Sequence, residues 1–280
     1  MLNQHCAVLG KPIAHSLSPV IHRAAYRHLG LNWEYTAHEV DEAGLVGFLA
    51  SLDATWRGLS LTMPLKRVAL DLSTTASDVA RTVGAANTLV RLDDDGSAAG
   101  WAADNTDVPG VVATLAEAGA EDTAPVCLWG GGATAASVLA ALAFRGSGPV
   151  HVHARSATRA HAALAVAAAL GHPAKVVEWA VLPACAEAGL VVSTAPKGAV
   201  DPLASSLTRG PAAARVLFDV VYDPWPTPLA AAWLEAGGAV ASGLDLLVHQ
   251  AVGQVRLMTG ADVPVSVLRS AAHAATGSRA

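Results

Sequence analysis

Charge is what this chain has least of. Only 15% of its 280 residues are Asp, Glu, Lys or Arg, the formal balance is −5, and there is no basic run. A phosphate-backbone partner such as nucleic acid has no electrostatic footprint here, so none is expected. Aromatic residues are scarce at 5%, and cysteine is limited to Cys6, Cys127 and Cys185. Their spacing predicts neither a disulfide framework nor a metal site. The opening residues lack a basic stretch followed by a long apolar one, so no secretory signal is expected. One charge-free segment, Ala124 to Phe144, is long enough to span a bilayer. Gly130-Gly131-Gly132 breaks it, which predicts a strand, a turn and a helix instead of a membrane span. The expectation is a cytoplasmic protein whose apolar second half is compatible with a homodimer but does not require one.

What the chain does have is a core: 52% of its residues are hydrophobic, which excludes disorder. The length suggests two domains. Short apolar runs alternate with helical patterns, the signature of an α/β fold with mostly parallel sheets. In the first part, strands are expected at Ala7–Gly10, Trp33–Val40 and Gly58–Thr62. Helices are expected from Ser18, as N-cap, to Gly30, and over Asp41–Leu52. A boundary is expected near Val108-Pro109-Gly110, before a helix over Val111–Ala118. From there the strands read as Val126–Trp129, Val150–Ala154, Val176–Trp179, Leu190–Ser193 and Val216–Val221. Helices read as Ala133–Arg145 and Ala157–Leu170, and the last forty residues look helical and able to return to the first half.

Gly130-Gly131-Gly132-Ala133-Thr134-Ala135 fits G-x-G-x-x-A between a strand and a helix. Glycine permits the tight turn and lets backbone N–H groups approach a pyrophosphate, and a helix N-terminus favours the negative charge. This predicts a Rossmann-like dinucleotide site. The next strand ends in His153-Ala154-Arg155-Ser156-Ala157-Thr158-Arg159 with no acid to accept from a ribose hydroxyl. Arg155 and Arg159 instead suit a 2′-phosphate, so NADP is expected in preference to NAD.

Four polar clusters interrupt the apolar first half: Ser16-Leu17-Ser18, Thr62 to Lys66, Asn87-Thr88 and Asp104 to Asp107. Each has an ordinary explanation as a cap, a turn or a solvated charge. Lysine, however, occurs only at positions 11, 66, 175 and 197. A lysine in the loop Thr62-Met63-Pro64-Leu65-Lys66 hints at proton exchange, which guanidinium cannot perform.

Taken together, the strings Gly10-Lys11-Pro12-Ile13-Ala14-His15-Ser16-Leu17-Ser18-Pro19, Ser60 to Lys66, Gly84-Ala85-Ala86-Asn87-Thr88-Leu89 and Asn105-Thr106-Asp107 resemble the shikimate dehydrogenase family. Val191 to Gly198, Asp219 to Leu229 and Gly243 to Ala251 continue the resemblance in order. It implies an N-terminal α/β substrate domain over 1–108, completed by 244–280, and a Rossmann-like NADP-binding domain over 109–243. It further implies NADPH-dependent reduction of 3-dehydroshikimate to shikimate, on the route to aromatic amino acids. By position, Lys66 and Asp107 become the catalytic pair, with Asn87 on the substrate hydroxyls. Ser16, Ser18 and Thr62 take the carboxylate end with Tyr222, and Gln250 reaches in from the returning helix. Gly130, Gly131, Gly132, Ala133, Arg155, Ser156 and Arg159 fall to the cofactor phosphates, and Gly243 lies near the nicotinamide.

The chain departs from the family's pattern at Arg23, Ser60, Ala133, Ala154, Ser193 and Leu246. Three alternatives stay open at this point. They are a quinate/shikimate dehydrogenase of broader specificity, a non-catalytic dinucleotide-binding relative, and an NADP-dependent dehydrogenase of another small acid.

Overall fold

The computed structural model describes residues 4–92, 100–120, 124–180, 185, 188–208 and 215–277. It divides the chain into two units, Met1–Thr106 with Leu247–Ala280, and Asp107–Leu246. In the first unit, β1 (Gln4–Gly10) is buried from Cys6 to Gly10, as befits a strand covered on both faces. It pairs in parallel with β2 (Trp33–Glu39) and β3 (Trp56–Leu61). In this unit three strands, β4 (Thr75–Ala76), β5 (Thr88–Arg91) and β6 (Trp101–Asp104), are absent from the sequence reading, as is the last strand of the second unit. Strand β4 has two residues, and β5 and β6 have polar or charged ends that break their apolar runs; β5 runs antiparallel to both β3 and β6. The resulting order is β2-β1-β3-β5-β6-β4.

The helices of this unit are α1 (Ser18–His28), α2 (Leu45–Ala50), α3 (Lys66–Asp71) and α4 (Asp78–Val83). Two expectations need correction. Ser18 is the first helical residue of α1; Leu17 occupies the N-cap position without a side-chain cap. The helix expected from Asp41 starts only at Leu45, because Asp41 Oδ1 accepts from the Gly44 N–H at 3.1 Å and holds residues 41–44 in a turn.

The second unit is a parallel sheet of β7 (Val126–Trp129), β8 (Val150–His153), β9 (Ala174–Val177), β10 (Leu190–Ser193), β11 (Val216–Asp219) and β12 (Ala239–Ser242). Its order, β12-β11-β10-β7-β8-β9, reverses direction between β7 and β10. Such a switch point leaves a crevice outside the strand ends. The helices are α5 (Asp107–Glu117), α6 (Ala133–Arg145), α7 (Ala157–Ala169), α8 (Ala204–Leu207) and α9 (Pro228–Glu235). Helix α5 runs straight through the expected break at Val108-Pro109-Gly110, since proline is tolerated in a first turn. Strand β9 lies two residues earlier than expected, paired from Val150↔Ala174 to His153↔Val177. Helix α10 (Gly243–Thr259) leaves this unit and enters the first, where α11 (Val265–Gly277) packs on α1. Among the described residues no helix is long and apolar enough to cross a membrane.

The cysteine reading also needs correction. Cys127 and Cys185, 58 positions apart, form a disulfide with Cα atoms 5.8 Å apart. The spacing gave no sign of it because the fold, not the chain, brings β7 beside residue 185. Near it, the buried Arg215 donates to the carbonyls of Ala188 (2.7 Å), Cys185 (2.8 Å) and Leu207 (3.3 Å). Its guanidinium lies 5.0 Å over the ring of the buried Trp233. Arg215→Met strips three carbonyls of their donor at once and should cost ~3 kcal/mol or more. A urea-unfolding midpoint equal to that of the unaltered protein would contradict this account.

Candidate active site

Strands β1 and β3 are parallel and β6 runs with them, so all three end on one side of the first sheet, where β5 begins. Backbone hydrogen bonds stitch these ends together. The Lys11 N–H donates to Met63 O (3.0 Å), Thr62 N–H to Leu9 O (2.9 Å), Leu61 N–H to Asn87 O (2.7 Å) and Asn87 N–H to Asp104 O (3.1 Å). The Ala86 N–H donates to Lys66 O at 2.7 Å. That bond ties the start of α3 to the residue beside Asn87. Segments around Leu9–Lys11, Leu61–Lys66, Ala86–Asn87 and Asp104, far apart in sequence, thus meet at one sheet end. Lys66 is half-buried as the first residue of α3. Lys11, another of the scarce lysines, instead pairs with Asp41 at 3.1 Å on the surface. The half-buried Ser16 accepts from the Ser18 N–H (3.3 Å), ordering the entry to α1, and Ser18 itself is buried.

Asn87 is 2% exposed, and its amide orientation is fixed by its partners. Its Oδ1 accepts from the Thr106 N–H and the Thr88 hydroxyl, both at 2.8 Å. A backbone N–H can only donate, so the oxygen must face it. Its Nδ2 donates to Thr106 Oγ1 (2.9 Å) and Gln250 Oε1 (3.2 Å), and Gln250 in turn donates to Leu247 O (2.9 Å).

Behind Asn87 lie residues absent from the sequence reading of the site. Gln254 donates to Asn87 O and Thr88 Oγ1, each at 3.1 Å, and accepts from the Ser60 hydroxyl at 2.8 Å. Ser60 accepts from the Tyr35 hydroxyl at 2.6 Å. The available signal was two glutamines four apart in an apolar helix, which places both amides on one face.

His22 stacks on Tyr35 with ring centroids 4.1 Å apart, and its Nδ1 lies 2.9 Å from Ser18 O. Burial lowers its pKa to about 4, against the opposing pull of Ser18 O and the Gln254 side chain.

In the second unit, Asp107 is buried as the first residue of α5, directly after Thr106 in the chain. The turn after β7 opens at Gly130, whose φ of 123° is closed to other residues; a Cβ there would lie 2.2 Å from Thr194 Oγ1 at the end of β10. Gly130 N–H donates to His153 O at 2.9 Å. Gly132, the N-cap of α6, is exposed, and a Cβ on it would meet only open space. The free chain therefore places no demand for glycine at that position, whereas a pyrophosphate lying on the backbone does. Gly131 and Ala133 complete the turn, both half-buried. The exposed Arg155 lies with its guanidinium 5.0 Å over the Trp179 ring, and Ser156 follows it. The Arg159 side chain lies outside the described residues. These groups fit a phosphorylated dinucleotide.

Tyr222 is half-buried in the loop after β11. That loop is anchored by Asp219, which accepts from Thr227 Oγ1 (2.8 Å) and the Val221 N–H (3.2 Å) and whose carboxyl pKa is raised by burial. Gly243 touches the same loop so closely that a Cβ would lie 1.9 Å from Val220 O.

Residues 8–89 match the shikimate dehydrogenase substrate binding domain, and residues 243–273 match the shikimate 5'-dehydrogenase C-terminal domain. A shikimate dehydrogenase (NADP(+)) of Synechococcus sp. strain JA-2-3B'a(2-13) is 33% identical over 96% of this chain and 95% of its own. The chain belongs to the shikimate dehydrogenase family. Crystal structures of family members agree in fold. The Mycobacterium tuberculosis shikimate dehydrogenase is 40% identical, with a TM-score of 0.87 over 97% of this chain and 99% of that one. The shikimate 5-dehydrogenase of Thermus thermophilus, solved with NADP(H) and shikimate, is 33% identical with a TM-score of 0.82, again over 97% and 99%. Family membership covers both units of the chain.

His22 gives a pH-dependent test. Its pKa is about 4 when folded against an ordinary 6.5, so between these values the unfolded chain binds the extra proton. Its contribution to stability is therefore present above pH 6.5 and lost as pH falls toward 4, by about 3 kcal/mol in all. Urea midpoints of His22→Phe should decline less across this interval than those of the unaltered protein. Parallel declines would refute the assignment.

Proposed function

We propose that this chain catalyses the reversible NADPH-dependent reduction of 3-dehydroshikimate to shikimate, as a cytoplasmic enzyme of aromatic amino acid biosynthesis. The observation that carries the reading is the joint placement of Lys66 and Asn87 by the Ala86–Lys66 backbone bond, with the Asn87 amide locked from behind. When bound, NADPH supplies a hydride for the ketone carbon. The chain's own residues handle the oxygen. Protonated Lys66 stabilises the negative charge that develops there and donates a proton; in the oxidative direction a neutral Lys66 accepts it. Asp107 orients the ammonium group. Asn87 and Gln250 hold substrate hydroxyls, while Ser16, Ser18, Thr62 and Tyr222 hold the carboxylate. Gly130 to Ala133, Arg155, Ser156 and Arg159 hold the cofactor phosphates, and Gly243 lies near the nicotinamide. Orientation by these groups contributes much of the rate.

The test is initial rates of the purified protein, crossing shikimate and quinate against NADP⁺ and NAD⁺. Strong turnover is expected with shikimate and NADP⁺ alone. Equal rates with quinate and NAD⁺ would reassign the chain to the broader-specificity relatives, and inactivity in every combination would retire the reading. Lys66→Ala should lower kcat by ~10²-fold or more, the scale of general acid–base groups. Unchanged turnover would remove Lys66 from the mechanism. Arg155→Gln should weaken NADP⁺ binding by roughly tenfold or more while leaving NAD⁺ nearly untouched. Titration by tryptophan fluorescence reads both, and equal losses would disprove a phosphate clamp.

A further inference from the structure

Beneath the glycine turn of the second unit, three buried groups converge. Cys127 on β7, Cys185 and His153 at the end of β8 have their side-chain sulfur and nitrogen atoms within 4.8 Å of one another. His153 lies with Nδ1 3.1 Å from Glu178 O and Nε2 3.2 Å from Cys185 Sγ. A carbonyl only accepts, so Nδ1 carries the proton and Nε2 presents its lone pair to the sulfur. A disulfide sulfur has no hydrogen to give that lone pair; a Cys185 thiol does. The imidazole is thus placed for the reduced pair as well as the bonded one, with Nε2 as the acceptor for a thiol proton.

We infer that Cys127, Cys185 and His153 form a reversible thiol–disulfide site that exchanges with small dithiols and disulfides. In the oxidising direction the Cys185 thiol passes its proton to His153 Nε2 and the thiolate attacks the external disulfide. A mixed disulfide forms and one external thiol leaves with the proton. The Cys127 thiol then gives its proton to the freed His153 Nε2, and its thiolate attacks Cys185 Sγ and expels the second external thiol, which leaves with that proton. Two protein thiols and one disulfide become one protein disulfide and two thiols, and the reverse sequence reduces the pair.

The site is wired to the glycine turn and to Arg155. His153 O accepts from the Gly130 N–H (2.9 Å), and its ring stacks on Trp129 with centroids 4.2 Å apart. Trp129 Nε1 donates to Trp179 O (3.2 Å), and Trp179 carries the Arg155 guanidinium on its face. Oxidation state should therefore alter NADP⁺ affinity, by about fivefold. This second consequence rests on the cofactor reading of Gly130 and Arg155; the thiol chemistry does not.

The full-length protein is equilibrated, folded, in stepped ratios of reduced to oxidised dithiothreitol, quenched with acid, denatured and alkylated with N-ethylmaleimide, then weighed. The chain should pass reversibly between a form alkylated at Cys6 alone and one alkylated at all three cysteines. His153→Gln should slow the passage by about tenfold or more, and Cys127→Ser should abolish it while leaving NADP⁺ binding measurable. A pair that stays wholly oxidised or wholly reduced at every ratio would overturn the inference. So would a stoichiometric zinc ion in the purified protein that blocks alkylation until chelated. A folded His153→Gln that exchanges at the unaltered rate would remove His153 from the site; should that variant not fold, the unaltered protein's titration still decides reversibility. Exchange without any change in NADP⁺ affinity would overturn the coupling alone, and failure of NADP⁺ binding in both states would instead count against the cofactor reading.

Discussion

The first unit depends on a buried chain of hydrogen bonds in which every donor points the same way. Tyr35 donates to Ser60, Ser60 to Gln254, Gln254 to Thr88, Thr88 to Asn87, Asn87 to Gln250, and Gln250 to Leu247 O. In a low-dielectric interior such a series polarises along its length, and an unfilled link is costly because the orphaned group has no water to turn to. The series crosses β2, β3 and β5 and ends on α10, so one polar constraint fixes the register of elements whose apolar contacts alone would tolerate small slips. Its last members include the side chains assigned to substrate hydroxyls. Ser60, one of the positions where the chain departs from the family's pattern, bridges Tyr35 and Gln254 through its hydroxyl.

Much of the fold was legible because long apolar runs between glycine and proline breaks leave few alternatives. Val126–Trp129, Ala133–Arg145 and Leu190–Ser193 appear where the pattern put them. Strand β4 has only two residues, and β5 (Thr88–Arg91) and β6 (Trp101–Asp104) have polar or charged ends where β7 carries an unbroken apolar run, so their existence depends on neighbours supplied by the fold. The polar strings around Ser16, Thr62, Asn87 and Asn105 stood out because polar residues in an apolar background must have partners if they are buried. Which partners they have was not readable. Ser60 and Gln254 lie 194 positions apart, and nothing local announces that they meet. The disulfide was hidden for the same reason.

The second unit balances rigidity and access differently. Its sheet is continuous and parallel, its strands are mostly buried, and its switch point lies between β7 and β10. The turn there combines Gly130, which the protein's own packing demands, with Gly132, which it does not. A residue that the free chain has no need of is evidence for a bound one, and in this unit that distinction separates the ligand's requirements from the fold's.

Helix α10 also sets the order in which the protein can be completed. The first unit is discontinuous: Leu247–Ala280 closes it, and all of Asp107–Leu246 is translated in between. At ~5–20 residues per second this leaves the sheet of Met1–Thr106 waiting for roughly ten seconds or more. Throughout that interval the nascent chain carries Ser60 without Gln254 and Asn87 without Gln250, and the apolar face of α1 without α11. The second unit, contiguous in sequence, has no such wait. Newly made chains should therefore pass through a state with a finished second unit and an open first unit, and chaperone capture or premature truncation at the ribosome would fall on the latter.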